Sequence, residues 1–150
     1  MARRVEVFLD TSALFAGIWS VSGGAHLILK LSEVRSLEVW VSPQVLRELD
    51  WALRAKAPEV VGDVAHLLDT ARVRVTEPGS EAQVDAYLAL VGHPGDAQVI
   101  ADAAGAARDY FVTLDRKHFL DNEDLRTALS FPIGTPGDFL EWFRGRLITP

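Results

Sequence analysis

Short apolar runs alternate with helix-like stretches along this chain, and two of those runs end on an aspartate. Residues 5–9 (VEVFL) lead into Asp10, and residues 110–114 (YFVTL) lead into Asp115. Short apolar runs bounded by charge read as buried strands. Residues 37–41 (LEVWV) and 73–75 (VRV) are further candidate strands, and residues 131–133 form another short apolar segment. Between them lie predicted helices. Residues 25–34 form one. Ser42-Pro43 caps a second, with Val45, Leu46, Leu49 and Leu53 on one stripe. Pro58 opens a third, reaching about residue 71. Ser80 and Gln83 are spaced as a capping box for a helix ending near Val91. A turn at His93-Pro94-Gly95 precedes a helix from Asp96 to Arg108. A weak helix is expected at residues 121–128, and Thr135-Pro136-Gly137-Asp138 caps an amphipathic last one. The small-residue stretch after Asp10, with Gly17, Gly23 and Gly24, carries no clear period.

This alternation predicts an α/β layer structure with a mostly parallel sheet of about four to five strands, since parallel neighbours need a crossover. The 150 residues, at roughly 100–200 per domain, are expected to form one domain spanning positions 1–150. There is no cysteine, so disulfides, thiolate nucleophiles and cysteine metal sites are excluded. No run approaches the ~18 apolar residues of a membrane helix. Arg3 and Arg4 resemble the start of a signal peptide, but Glu6 and Asp10 break up the apolar stretch such a peptide needs. The expected location is the cytoplasm, with no membrane partner. The net charge of −6 argues against strong non-specific duplex binding, which depends on neutralising phosphates.

Parallel sheets bind ligands beyond the carboxyl ends of their strands. Asp10 and Asp115 lie there. Alone, either is as readily a turn residue. Glu48 alone reads as a solvated helix position, and Asp96 alone as a first-turn acid offsetting the dipole. Jointly the four acids form a candidate oxygen-donor site for a hard cation such as Mg²⁺ or Mn²⁺. The histidines, at 26, 66, 93 and 118, are scattered, which disfavours zinc.

The motifs FLDTSAL (residues 8–14), LREL (46–49), GDAQVIA (95–101) and VTLDRKHF (112–119), in that order, resemble the PIN-domain nucleases. The small size makes the chain most similar to the VapC-type toxins of toxin–antitoxin pairs. The resemblance covers about residues 5–145. It implies a Rossmann-like sheet of order 3-2-1-4-5 and Mg²⁺- or Mn²⁺-dependent cleavage of RNA phosphodiester bonds. It puts Asp10, Glu48, Asp96 and Asp115 in the catalytic and metal-ligating positions. Thr11, Ser12 and Thr113 take supporting roles, and Asp121 is the nearest match to a further acid of some members. Arg116 and Lys117, beside Asp115, are candidate phosphate contacts. A homodimer and an inhibitory antitoxin are the implied protein partners. The four tryptophans, at 19, 40, 51 and 142, are candidates for base stacking or for the core.

Two other readings remain open. One is a HAD-like phosphatase with Asp10 as nucleophile, although that pattern wants a second acid where Ser12 stands. The other is a catalytically silent PIN-like binding module. No phosphate-binding or dinucleotide glycine motif is present.

Overall fold

Val7, Phe8 and Leu9 are fully buried, and the strand that carries them, β1 (Glu6–Leu9), lies at the middle of a five-stranded sheet. The computed structural model describes residues 3–105 and 109–148. The other strands are β2 (Glu38–Val41), β3 (Arg74–Val75), β4 (Tyr110–Val112) and β5 (Ile133–Gly134), in the order β3-β2-β1-β4-β5. All four pairings are parallel, so the mostly parallel sheet is wholly so among the described residues. Phe8 pairs in register with Trp40 on β2 and Phe111 on β4. Phe8 and Phe111 stack with ring centroids 5.4 Å apart. The two central strands, β1 from Val7 and β4 throughout, are buried on both faces and so apolar without alternation.

The segment after β1 is helical. Helix α1 (Thr11–Trp19) starts at Asp10, whose side chain accepts the Ala13 N–H at the N-cap. Gly17 weakens its helical signature, but the packing requires it. A Cβ there would lie 3.2 Å from the Ala25 backbone and 3.0 Å from Leu29 Cδ1 on helix α2 (Gly24–Glu33). Helix α3 (Pro43–Lys56) follows its Ser42 cap and buries Val45, Leu49 and Leu53. The third expected helix divides into a 3₁₀ turn (Pro58–Val60) and α4 (Val61–Thr70). Helix α5 (Glu81–Val91) carries the Ser80/Gln83 capping box.

Helix α6 (Pro94–Gly105) starts two residues before the expected Asp96, because Pro94 already fits the first turn. Its expected end at Arg108 lies outside the described residues. Strand β4 is shorter than expected. Thr113 N still donates to Gly134 O, but Leu114 N leaves the sheet to donate to Ser12 Oγ. A π-helical turn (Arg116–Leu120) then leads to α7 (Glu123–Ala128), which starts from an Asn122 cap rather than at Asp121. Helix α8 (Pro136–Ile148) begins with Thr135 and Asp138 each accepting the other's backbone N–H. No described helix is long and apolar enough to cross a membrane.

Gly79, before α5, touches α6 closely. A Cβ there would stand 2.7 Å from the Ala101 backbone carbonyl, which cannot swing aside as a side chain can. Gly79→Ala is therefore expected to destabilise the fold by about 1–3 kcal/mol, as overpacking does. A urea melt unchanged from wild type would contradict the close packing.

Candidate functional site

Pairing β1 with β4 places their carboxyl ends side by side, and Asp10 N donates to Val112 O at 3.1 Å. Asp10 is only 5% exposed. Its Oδ1 accepts from Ser12 Oγ (2.7 Å) and Ala13 N (2.9 Å), while its Oδ2 accepts from Thr113 Oγ1. Burial drives its carboxyl up to about 6, and these hydrogen bonds, which favour the charged form, offset only part of that. Thr113 is fully buried and also accepts the Asp115 N–H. Ser12 Oγ in turn accepts from Leu114 N. Ser12 and Thr113 thus tie the loop after β4 to the loop after β1.

Glu48 reaches the same place from α3. Its Oε1 accepts from Thr11 Oγ1 and its Oε2 from Gln44 Nε2. Gly95 lets α6 come close, since a Cβ there would lie 3.1 Å from Glu48 Oε2. Asp96, in the first turn of α6, is half-buried. Its carboxyl is also raised, first by burial. His118 and His93 oppose the shift, and Asp115 and Glu48 add to it. For Asp10 and Asp96 alike, loss of water contact raises the carboxyl more than repulsion from the neighbouring acids does.

Asp115 caps the π-helical turn. Its Oδ1 accepts from His118 N at 3.0 Å, and its Oδ2 lies 2.9 Å from His118 Nδ1. The same Nδ1 is 3.4 Å from Asp96 Oδ2. One ligand atom from each of Asp96, Asp115 and His118 falls within 4.8 Å of the others. Two carboxylates and an imidazole suit a divalent ion as a donor set. Asp10 and Glu48 stand outside this tight cluster but line the same cavity of about 600 Å³.

The structure therefore brings together Asp10, Glu48, Asp96 and Asp115, with Thr11, Ser12 and Thr113 holding them. It does not bring in Asp121, which is exposed 3.7 Å from Arg116. Arg116 and Lys117 are exposed and do not line the cavity. Lys56 does line it, with its ammonium 5.5 Å from the Phe15 ring centre. No tryptophan lines it. Trp40 and Trp142 pack against the core, and Trp51 is 77% exposed. The sequence reading set His118 aside among the scattered histidines and did not single out Lys56. The D-x-x-H spacing after β4 was the available sign for His118. Nothing local pointed to Lys56, at the far end of α3.

No known family profile and no curated protein matches the chain. Solved structures do. PAE2754 from Pyrobaculum aerophilum is 22% identical, with 94% of this chain and 96% of that one covered and a TM-score of 0.61. The DNA-bound VapBC of Salmonella typhimurium is 18% identical, over 88% and 98%, with a TM-score of 0.62. Mycobacterium tuberculosis VapC20, described as a sarcin–ricin loop cleaving toxin, is 17% identical, over 77% and 94%, at 0.54. The chain shares the fold of these structures, and its sheet order matches the one its PIN-domain resemblance implied.

Proposed function

We propose that this chain is a cytoplasmic metal-dependent endoribonuclease of the PIN-domain type, the toxin of a toxin–antitoxin pair. The observation that carries the reading is the convergence of four acids from four chain segments on one cavity beyond the carboxyl ends of β1 and β4, with His118 against two of them, Asp96 and Asp115. The fold shared with VapC20 supports it. Asp96, Asp115 and His118 would hold Mg²⁺ or Mn²⁺, with Asp10 and Glu48 completing the donors. Such an ion, when bound, activates water and offsets charge on a scissile phosphate.

The chain's own residues orient that chemistry. Thr113, Ser12 and the Ala13 N–H fix the Asp10 carboxylate, and Thr11 and Gln44 fix Glu48. Lys56 supplies a cation to a neighbouring phosphate. Phe15 and Leu114 give the cavity apolar walls. A buried Asp10 with both oxygens already accepting hydrogen bonds is a poor nucleophile, which weighs against the phosphatase reading. The antitoxin is inferred by likeness to the VapBC complexes, and its cationic side chains would suit the acidic cavity. The homodimer rests on the family resemblance alone.

The test is cleavage of a structured RNA by the purified chain with Mg²⁺, with Mn²⁺ and with excess chelator. Cleavage with either ion and none in chelator is expected. Equal cleavage in chelator overturns the metal, and RNA binding without cleavage under any ion favours the silent module. His118→Ala is expected to weaken Mn²⁺ binding by about 10–100-fold, the usual effect of losing a group that ligates or orients a ligand. Calorimetric titration with Mn²⁺ checks this. Unchanged affinity would remove His118 from the ligand set.

A further inference from the structure

The amino ends of β1, β2 and β3 hold a second cavity, of about 280 Å³, lined by Arg4, Arg35, Arg72 and Arg74 with a single acid, Glu38. Four guanidinium groups against one carboxylate leave three surplus positive charges on a chain whose net charge is −6. Glu38 is already engaged. Its Oε1 accepts from Arg74 Nη1 and Trp40 Nε1, both at 3.2 Å, and Arg74 lies 4.7 Å over the Trp40 ring. Arg4 Nε donates to Arg35 O at 2.8 Å. Among the described residues, the guanidinium groups of Arg35 and Arg72 have no hydrogen-bonding or ionic partner.

Arg35 and Arg72 are also the only described non-glycine residues with positive φ, at 62° and 59°. Each follows the end of a helix, α2 or α4. There Arg35 N donates to Ser32 O and Ser36 N to Leu31 O, and Arg72 N donates to Asp69 O and Val73 N to Leu68 O. Such positions favour glycine. A cation after a helix end is attracted by the dipole, which accounts for a positive residue at each helix. It does not account for two strained arginines meeting two more in one concavity.

We propose that this cavity is a second ligand site, binding a phosphate group through Arg35 and Arg72 with Arg4 and Arg74 beside them. Guanidinium forks match phosphate oxygens two at a time. A phosphate presents enough oxygens for several forks, whereas one fork satisfies a carboxylate. Arg4 precedes β1 and Asp10 follows it, so the site lies at the other end of the strand from the acidic cavity. The phosphate is either a free small anion or one unit of an RNA backbone.

The test titrates the full chain in chelator, where no added cation recruits phosphate to the acidic cavity. The probes are inorganic pyrophosphate and, separately, a labelled RNA oligonucleotide. Arg35→Gly with Arg72→Gly removes both guanidinium groups while relaxing both backbones. It is expected to weaken binding at least about tenfold, the loss of a charge-assisted contact. The melting temperature and the metal-dependent cleavage of a short RNA should be retained. Arg35→Gln with Arg72→Gln is the second variant, and should lose the same binding while keeping side-chain bulk. Pyrophosphate binding lost in both variants identifies a site for small phosphates. RNA binding alone, lost likewise, identifies a backbone contact. Absent binding, binding equal in wild type and variants, or a glutamate-rich peptide held as tightly as pyrophosphate each overturns the proposal. A much lower melting temperature in both variants with binding unchanged assigns the arginines to structure instead.

Discussion

Asp10→Asn is expected to stop RNA cleavage and, in chelator at pH 8, to melt above wild type. The carboxyl of Asp10, pushed up by burial to about 6, is held charged at that pH against the cost of lost hydration. A rise of about 2 pKa units corresponds to about 3 kcal/mol at most. Asparagine removes the charge but upsets the donors. Its oxygen still accepts from Ser12 and Ala13, whereas its NH₂ faces Thr113 Oγ1, which must then accept instead of donate. That hydroxyl already accepts from Asp115 N. A misplaced buried hydrogen bond costs about 1–2 kcal/mol. A net gain of about 1–2 kcal/mol remains, or about 2–8 °C for a domain of this size. Cleavage should fall by at least about 10²-fold, as when a group that stabilises the reacting charge is lost. Thermal melts in chelator, paired with a cleavage assay, check both halves. Wild type melting higher would mean that Asp10 is not held at a cost.

The second large effect is on pH dependence without metal. The folded carboxyl of Asp10 titrates near 6, and an unfolded aspartate near ~3.9. The folded pKa is the higher one, so the folded state binds more protons between the two values. Stability therefore falls as pH rises through that window, by up to about 3 kcal/mol, and the loss is complete above it. Asp96, also raised, acts with the same sign. Asp109 acts oppositely. Burial raises its carboxyl, but hydrogen bonds from Arg3 and the Glu6 N–H together with the Arg3 charge outweigh that and leave it lowered. Its contribution is lost as pH falls, below the Asp10 window. Urea melts of wild type and Asp10→Asn at pH 5 and pH 8 in chelator isolate Asp10. The gap between the two proteins should shift by about 1.4 kcal/mol in favour of the variant at pH 8, because the rest of the loss already falls below pH 5. A gap that does not move with pH contradicts a raised carboxyl at this position.

The alternation of strands and helices was legible because strands buried on both faces are mostly apolar, and Asp10 and Asp115 stood out at the ends of VEVFL and YFVTL. Caps were legible where side chains write them locally, as at Ser42 and Ser80. Helix α1 was not. Its apolar residues surround it, and Gly17 is there for the neighbouring Ala25 backbone rather than for the helix. The acids of the candidate site stood in the sequence, and the family resemblance pointed to Thr11, Ser12 and Thr113 beside them, but the bonds these make were not legible. Thr113 acts across the β1–β4 pairing, and His118 turns back on Asp115 through a π-helical turn that no simple period announces. Likewise Arg35 and Arg72 look like ordinary surface residues until the sheet brings two helix ends together. Asp121 shows the converse. It was noticed for its distance along the chain from Asp115, but the turn carries it outward.

The crossing of β1 to β4 also sets a timetable. Asp10 is made well before its support, since the hydroxyl that fixes its Oδ2 belongs to a residue 103 positions later. Until β4 is made, β1 lacks one of its two neighbours, and the Asp10 carboxylate is not yet enclosed by Thr113. A nascent chain interrupted before residue 113 therefore carries Asp10, Glu48 and Asp96 without the strand that draws them together. Parallel pairings between distant segments also form slowly, because the intervening loop must close first. The cavity is therefore assembled only once β4 has been made, and a product cut short before Thr113 lacks the hydroxyl that fixes Asp10.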